Sequence, residues 1–138
     1  MTYVLDDIAD YLASNGIGSV GTDIFEGGWF DGGTPNTPDV CVALFHYPGL
    51  APSQVLGGSA NPSPLIFPRV QVAARASKYS VAYAKAQACY ALLAPVTQIT
   101  INGTRYLRIE ALNEPAFIGQ DTNSRSLFGT NFQVTRES

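Results

Sequence analysis

The stretch Leu65-Ile-Phe-Pro-Arg-Val-Gln-Val-Ala-Ala-Arg-Ala-Ser-Lys-Tyr-Ser-Val-Ala-Tyr-Ala-Lys-Ala-Gln-Ala-Cys-Tyr-Ala-Leu-Leu93 carries two periodicities in succession. Beyond Pro68, Val70, Val72 and Ala74 alternate with Arg69, Gln71, Ala73 and Arg75. That is the two-residue repeat of a strand with one buried and one polar face. Ser77 then stands where a helix cap belongs. Tyr79, Ala82, Tyr83, Ala86, Tyr90 and Leu93 fall on one stripe at helical spacing, and Pro95 closes the run. The many alanines let this helix lie close on a sheet, so a strand running straight into the longest helix sets the frame for the rest.

Downstream, Ile99-Thr-Ile101 and the residues from Thr104 flank Asn102-Gly103. That pair specifies a type I′ hairpin, because both turn positions need positive φ. The second arm, to about Leu112, sets Leu107, Ile109 and Ala111 against Tyr106, Arg108 and Glu110. After Asn113-Glu114-Pro115 and a loop through Asp121 to Ser124, a last strand from Arg125 to Arg136 places Phe128, Thr130, Phe132 and Val134 on one face.

Upstream, Thr2 is positioned to cap a helix whose Val4, Leu5, Ile8, Ala9 and Leu12 recur at helical spacing. Asp6 and Asp7 suit the dipole of its first turns, and Asn15 and Gly16 end it. Ser19 to Phe25 reads as a short strand, and Val40 to His46 as a second, nearly continuous apolar one. Between them lies a loop at about 27–38 rich in glycine and proline. A longer segment at about 47–64, with Pro48, Gly49, Pro52, Gly57, Gly58, Pro62 and Pro64, reads as irregular. Its Leu50, Val55 and Leu56 are apolar enough to make it an arm that docks on a neighbouring copy. The sum is an α+β fold in a single domain, 1–138, with a mainly antiparallel sheet of four to five strands and two helices packed on one face.

Composition narrows the function. With 138 residues, 46% hydrophobic and only 14% charged, the chain fits one core and leaves apolar surface to face a partner. A net charge of −3 with scattered Lys and Arg argues against a groove that tracks nucleic-acid phosphates. Cys41 and Cys89 form no C-x-x-C and have no nearby histidine, so no metal or dithiol redox site is visible, and they read as small buried hydrophobes in preference to a disulfide. The start lacks the basic and apolar regions of a signal peptide, and no apolar run approaches the ~20 residues of a membrane span.

The chemical motifs are weak. Gly16-Ile-Gly18-Ser-Val-Gly21 has the letters of a dinucleotide fingerprint, but it leads from helix to strand, the reverse of the order that aims backbone donors at a pyrophosphate. The sole histidine, His46, would have to serve any triad or general base, and its place at the end of a buried strand reads as structural. Asp23, Glu26, Asp31 and Asp39 cluster among glycines without the spacing of a calcium loop, which suits a solvated loop. Asn102-Gly-Thr104 has the form of a glycosylation acceptor and is better read as the hairpin turn. Arg69, Gln71 and Arg75 form a polar ladder that Arg108 and Glu110 could extend across the sheet, a candidate for subunit contact because Arg is favoured at interfaces.

Taken in order, these features resemble the small minor capsid or tail-terminator proteins of long-tailed bacteriophages. The resemblance is carried by Pro68-Arg69-Val70-Gln71-Val72 with Arg75, and by the Ala-rich helix with Tyr79, Ala82, Ala86, Leu92 and Leu93. It continues through Asn113-Glu114-Pro115, Asp121, Arg125 and the closing Phe128-Gly-Thr-Asn131-Phe132-Gln-Val134-Thr-Arg136. The resemblance implies a non-enzymatic virion protein of the tail or neck, assembled in the host cytoplasm without cofactor or metal. It further implies a ring, usually hexameric, that caps the tail tube, binds the head-completion or connector protein, and lets DNA pass through its lumen without gripping it. Arg69, Gln71, Arg75, Arg108, Glu110, Arg125, Leu50, Val55 and Leu56 are the candidate interface residues. Two other readings stay open: a head-completion or other tail-associated phage protein, and a small-molecule binding module or hydrolase using His46 and the carboxylates around Asp31.

Overall fold

A computed structural model describes residues 3–28, 38–53, 65–121 and 123–137. The elements run α1 (Val4–Ser14), β1 (Ile24–Glu26), β2 (Cys41–Ser53), β3 (Leu65–Ala76), α2 (Tyr79–Leu93), β4 (Thr97–Ile101), β5 (Thr104–Ala111), β6 (Ala116–Gln120) and β7 (Ser126–Glu137). The strands form one sheet in the order β1-β2-β3-β7-β5-β4, and β6 pairs with β7. The α+β class stands. The strand number is corrected from four or five to seven, and the sheet is mixed, because β1 pairs with β2 in parallel while every other pairing is antiparallel.

Both helices lie on the same face of the sheet. Leu5, Ile8, Ala9 and Leu12 of α1 and Ala82, Ala86, Cys89 and Leu93 of α2 share one buried cluster with Val42, Leu44, Val70, Val72, Phe128, Phe132 and Val134. At about 1.5 to 3 kcal/mol per buried large side chain, this layer is the main favourable term in folding. In β7 the expected alternation is borne out, with Phe128, Thr130, Phe132 and Val134 all buried.

Several local expectations are revised. Thr2 lies outside the described residues; Tyr3 occupies the cap position of α1 and makes no side-chain cap bond. Ser77 does not cap α2. Lys78 does, without a side-chain bond, while the Ser77 hydroxyl and amide both donate to the Asp39 carboxylate. The segment from Tyr47, expected to be irregular, continues β2 as far as Ser53. Its register against β3 shifts on either side of Leu50, so bulges absorb the extra residues. Among the described residues β1 flanks β2 only at Val42–Leu44, so no strand pairs beyond Pro48 and Pro52 and a missing N–H there breaks no ladder. The close approach of the two strands explains Gly49: a Cβ there would lie 1.7 Å from the Phe67 carbonyl oxygen.

The Asn102-Gly103 turn is borne out, with φ of 49° and 81° joining β4 to β5. Tyr106, expected to face outward, is instead fully buried, because a bulge between Tyr106 and Arg108 resets the alternation of β5. Residues 19–23, expected to begin a strand, form a turn in which the amides of Asp23 and Ile24 donate to the Ser19 carbonyl. β6 was not foreseen. It follows Pro115, contains Gly119 at φ 131° and lies exposed, so it has neither alternation nor a buried face to betray it.

Candidate assembly surface

Because Val70 and Val72 face the helices, the intervening residues of β3 face away from them. Register builds rows across this outer face. Tyr47, Arg69, Gln133 and Glu110 stand opposite one another in β2, β3, β7 and β5, and Phe45, Gln71 and Asn131 form the next row. Arg69 Nε donates to Gln133 Oε1 at 2.9 Å, and Gln133 Nε2 donates to the Phe67 carbonyl at 2.9 Å, which fixes the ladder's geometry. Arg108 and Glu110 extend it as expected, joined by an exposed ion pair of 3.5 Å. Exposed pairs of this kind contribute at most about 1 kcal/mol, so both groups remain available to a partner at little cost. A shallow depression of about 400 Å³ lined by Phe45, Tyr47, Gln71 and Asn131 lies in the middle of the face. Burial pushes the Tyr47 hydroxyl above its ordinary range, with Arg69 opposing, so it stays a neutral donor.

Two candidate arginines stand elsewhere. Arg75, expected on the polar face, is 3% exposed, and its Nη2 donates to the Pro38 carbonyl at 2.8 Å. The alternation fails there because the segment preceding β2 covers that end of the face, so Arg75 is a tether and not a free surface group. Arg125 closes its own turn: Nε meets Asp121 Oδ2 at 2.8 Å, and Asp121 Oδ1 accepts the amides of Asn123 and Arg125 at 2.9 Å each. Burial works against the Asp121 charge, but these bonds from Arg125 and Asn123 prevail and hold the carboxyl below its usual range. Leu50 contributes backbone to β2 opposite Phe67. Val55, Leu56 and Asp31 lie outside the described residues.

Behind the sheet the carboxylates of the N-terminal region gather. Asp6, Asp7, Asp10 and Glu26, with Tyr3, Val20 and Asn102, line a notch of about 330 Å³. Partial burial, then a hydrogen bond with Asp6 and repulsion from Asp6 and Asp10, raise the Glu26 carboxyl to about 7. Asp7, in the first turn of α1 as expected, is fully buried. It accepts from the Tyr106 hydroxyl and from Arg136 Nη1 at 3.5 Å, and its other oxygen accepts from Asn102 Nδ2 at 3.0 Å. Arg136 also stands 5.7 Å from the Tyr106 ring centroid. Burial and the bond to Asp7 push the Tyr106 hydroxyl well above its usual range, so it is a permanent donor. This network pins α1 to β5 and β7.

The remaining motifs resolve into structure. Gly16 and Gly21, both at φ 85°, turn the chain from α1 toward β1, and a Cβ at Gly18 would strike the Asp23 carboxyl, which accepts the Ser19 amide at 2.6 Å. His46 lies exposed beside Tyr3, ring centroids 6.0 Å apart. Cys41 and Cys89 are buried free thiols, as expected of small hydrophobes. Among the described residues no three His, Cys, Asp or Glu side chains are placed to hold a metal ion, and no helix is long and apolar enough to cross a membrane. The sequence reading missed one surface: exposed apolar side chains gather around β6, where Phe117 and Ile118 are joined by Tyr79 and Tyr83 from α2.

No curated protein matches the chain. Among solved structures, a chain of the "Virion of native gene transfer agent (GTA) particle" shares this fold with a TM-score of 0.66 at 14% identity, over 98% of this chain and 95% of that one. The family described as "Bacteriophage tail terminator protein" matches residues 11–138. That match takes in all of the sheet, α2 and the last turn of α1, so the chain belongs to the bacteriophage tail terminator protein family.

Proposed function

We propose that this protein is the subunit of a homo-oligomeric ring, a hexamer in the simplest form, that ends growth of the tail tube and offers the surface to which the head connector binds. Membership in the tail terminator family makes it a structural protein of the virion tail at the head–tail junction, and that family match is the observation that carries the proposal. The role asks for no catalysis. A ring requires two unlike, complementary patches on each subunit. The outer face with Arg69, Gln71, Arg108 and Glu110 is one candidate. The segment at 47–64, with Leu50, Val55 and Leu56, is the other: its first part is a strand that pairs on one side only among the described residues, and the rest lies outside them. The net charge of −3 suits a lumen through which DNA slides without being held.

The partners in this reading are other copies of the chain, the tail-tube protein and a head-completion protein. Electron microscopy of particles assembled without the protein tests it. Abnormally long tails are expected; tails of normal length beside empty or tailless heads would instead assign the chain to head completion.

A further inference from the structure

Four exposed apolar side chains, two from α2 and two from β6 itself, gather around β6. Tyr79 and Tyr83, 58% and 45% exposed, and Phe117, 47% exposed, surround the buried ring of Phe128, with centroids 4.8, 5.5 and 5.7 Å from it. Ile118 is 49% exposed and lies on the opposite side of β6, against the outer face of Gly129. The apolar surface therefore wraps both faces of β6. Among the described residues β6 pairs with β7 alone, so its other edge presents unpaired backbone. Natural edge strands are blunted by charge, proline or bulges; Ala116-Phe-Ile-Gly-Gln120 contains neither charge nor proline, and its register against β7 shifts once, between Phe117 and Gly119.

We propose that β6 accepts an extended strand from a second copy of this chain, which joins the sheet through main-chain hydrogen bonds. Its alternate side chains pack against the Tyr79–Phe117 cluster on one face and Ile118 on the other. The four exposed side chains offer on the order of 400 to 500 Å², about half of one partner's share of a standard interface, and the strand pairing extends the contact beyond them. The occupant is another copy because, among the described residues, the far end of the same sheet also carries a stretch of strand that pairs on one side only. There the turn at residues 19–21 covers the outer edge of β1, where the Gly21 amide donates to the Ile24 carbonyl, and the 47–53 part of β2 forms a second edge unlike β6. Two unlike free edges at opposite ends of one sheet join head to tail and propagate around an axis. Pairing of β6 with β6 would instead close a two-fold dimer.

This inference rests on the ring reading and names its contact. The test is sedimentation velocity of the full chain as wild type, Phe117→Lys, Ile118→Lys and Ala88→Lys. The β6 substitutions are expected to keep the wild-type far-UV spectrum, since both side chains are exposed, and to sediment as monomers, while wild type and Ala88→Lys form the ring. Hydrogen exchange is expected to slow at least tenfold in residues 116–120 of the assembled protein relative to the Phe117→Lys monomer. A wild type that stays monomeric at every concentration, alone and with the tail-tube protein, overturns the ring reading and this contact together. A wild-type ring that survives both β6 substitutions overturns the contact alone, whereas a wild type that stops at a dimer, with the tail-tube protein present as well, overturns both. Loss of assembly in Ala88→Lys as well would also overturn it, because added charge anywhere would then suffice.

Discussion

Replacing Asp7 by alanine removes one carboxylate on which three elements converge. Asp7 is fully buried on α1, Tyr106 comes from β5 and the 4%-exposed Arg136 from β7. The substitution takes a charged partner from Arg136 and the acceptor from the Tyr106 hydroxyl, both buried. Breaking a buried ion pair from one side costs about 3 to 5 kcal/mol, because the remaining charge is left uncompensated. For a chain of this length that lowers Tm by about 10 to 15 °C. Urea denaturation followed by far-UV circular dichroism measures the loss. The sharper test is Arg136→Met added to Asp7→Ala, which removes the buried charge and restores much of the stability of the single variant. A loss below about 1 kcal/mol in Asp7→Ala, or no recovery in the double variant, would show that the pair does not hold α1 to the sheet.

Three further outcomes follow from the same structure. Glu26 keeps its proton to about 7 in the folded chain, against an ordinary value of 4.5; between those values the folded state binds a proton that the unfolded state has released, so stability falls as pH rises through that window and the penalty is complete above it. Because Glu26 is largely exposed, the effect is discounted for solvent screening to about 1 kcal/mol, and Glu26→Gln is expected to raise Tm by about 3 °C at pH 8 and leave it unchanged at pH 4. Gly49→Ala forces its methyl against the Phe67 carbonyl and is expected to cost more than about 2 kcal/mol in chemical denaturation, whereas wild-type stability would mean that the strands can separate there freely. Burial pushes the Cys89 thiol up to about 12 and raises Cys41 as well, so neither is expected to react with a thiol reagent until the protein unfolds; rapid labelling in native buffer would contradict their placement.

The strand–helix–hairpin–strand frame was legible because β3, α2 and β7 each bury one face, and one-sided burial writes a period into the sequence. What escaped were features without a period. β6 exposes nearly every residue, so no alternation marks it. The 47–53 part of β2 is held by backbone pairing despite its prolines, which composition alone reads as loop. The burial of Tyr106 hinges on a one-residue bulge, and that of Asp7 and Arg136 on partners 99 and 129 positions away from Asp7, beyond the reach of any local pattern. Among the candidate surface residues, Arg69, Gln71, Arg108 and Glu110 fell where strand alternation put them. Arg75 did not, because the residues before β2 fold over its end of the sheet.

The claim beneath all of this is that the chain works as one of several copies around an axis. Sedimentation of the purified protein over a wide concentration range, alone and mixed with the tail-tube protein, measures it most directly. The account predicts one discrete closed species of several copies, six in the simplest case, persisting on dilution or forming on the tube. A single chain at every concentration, with and without the tube protein, would contradict it.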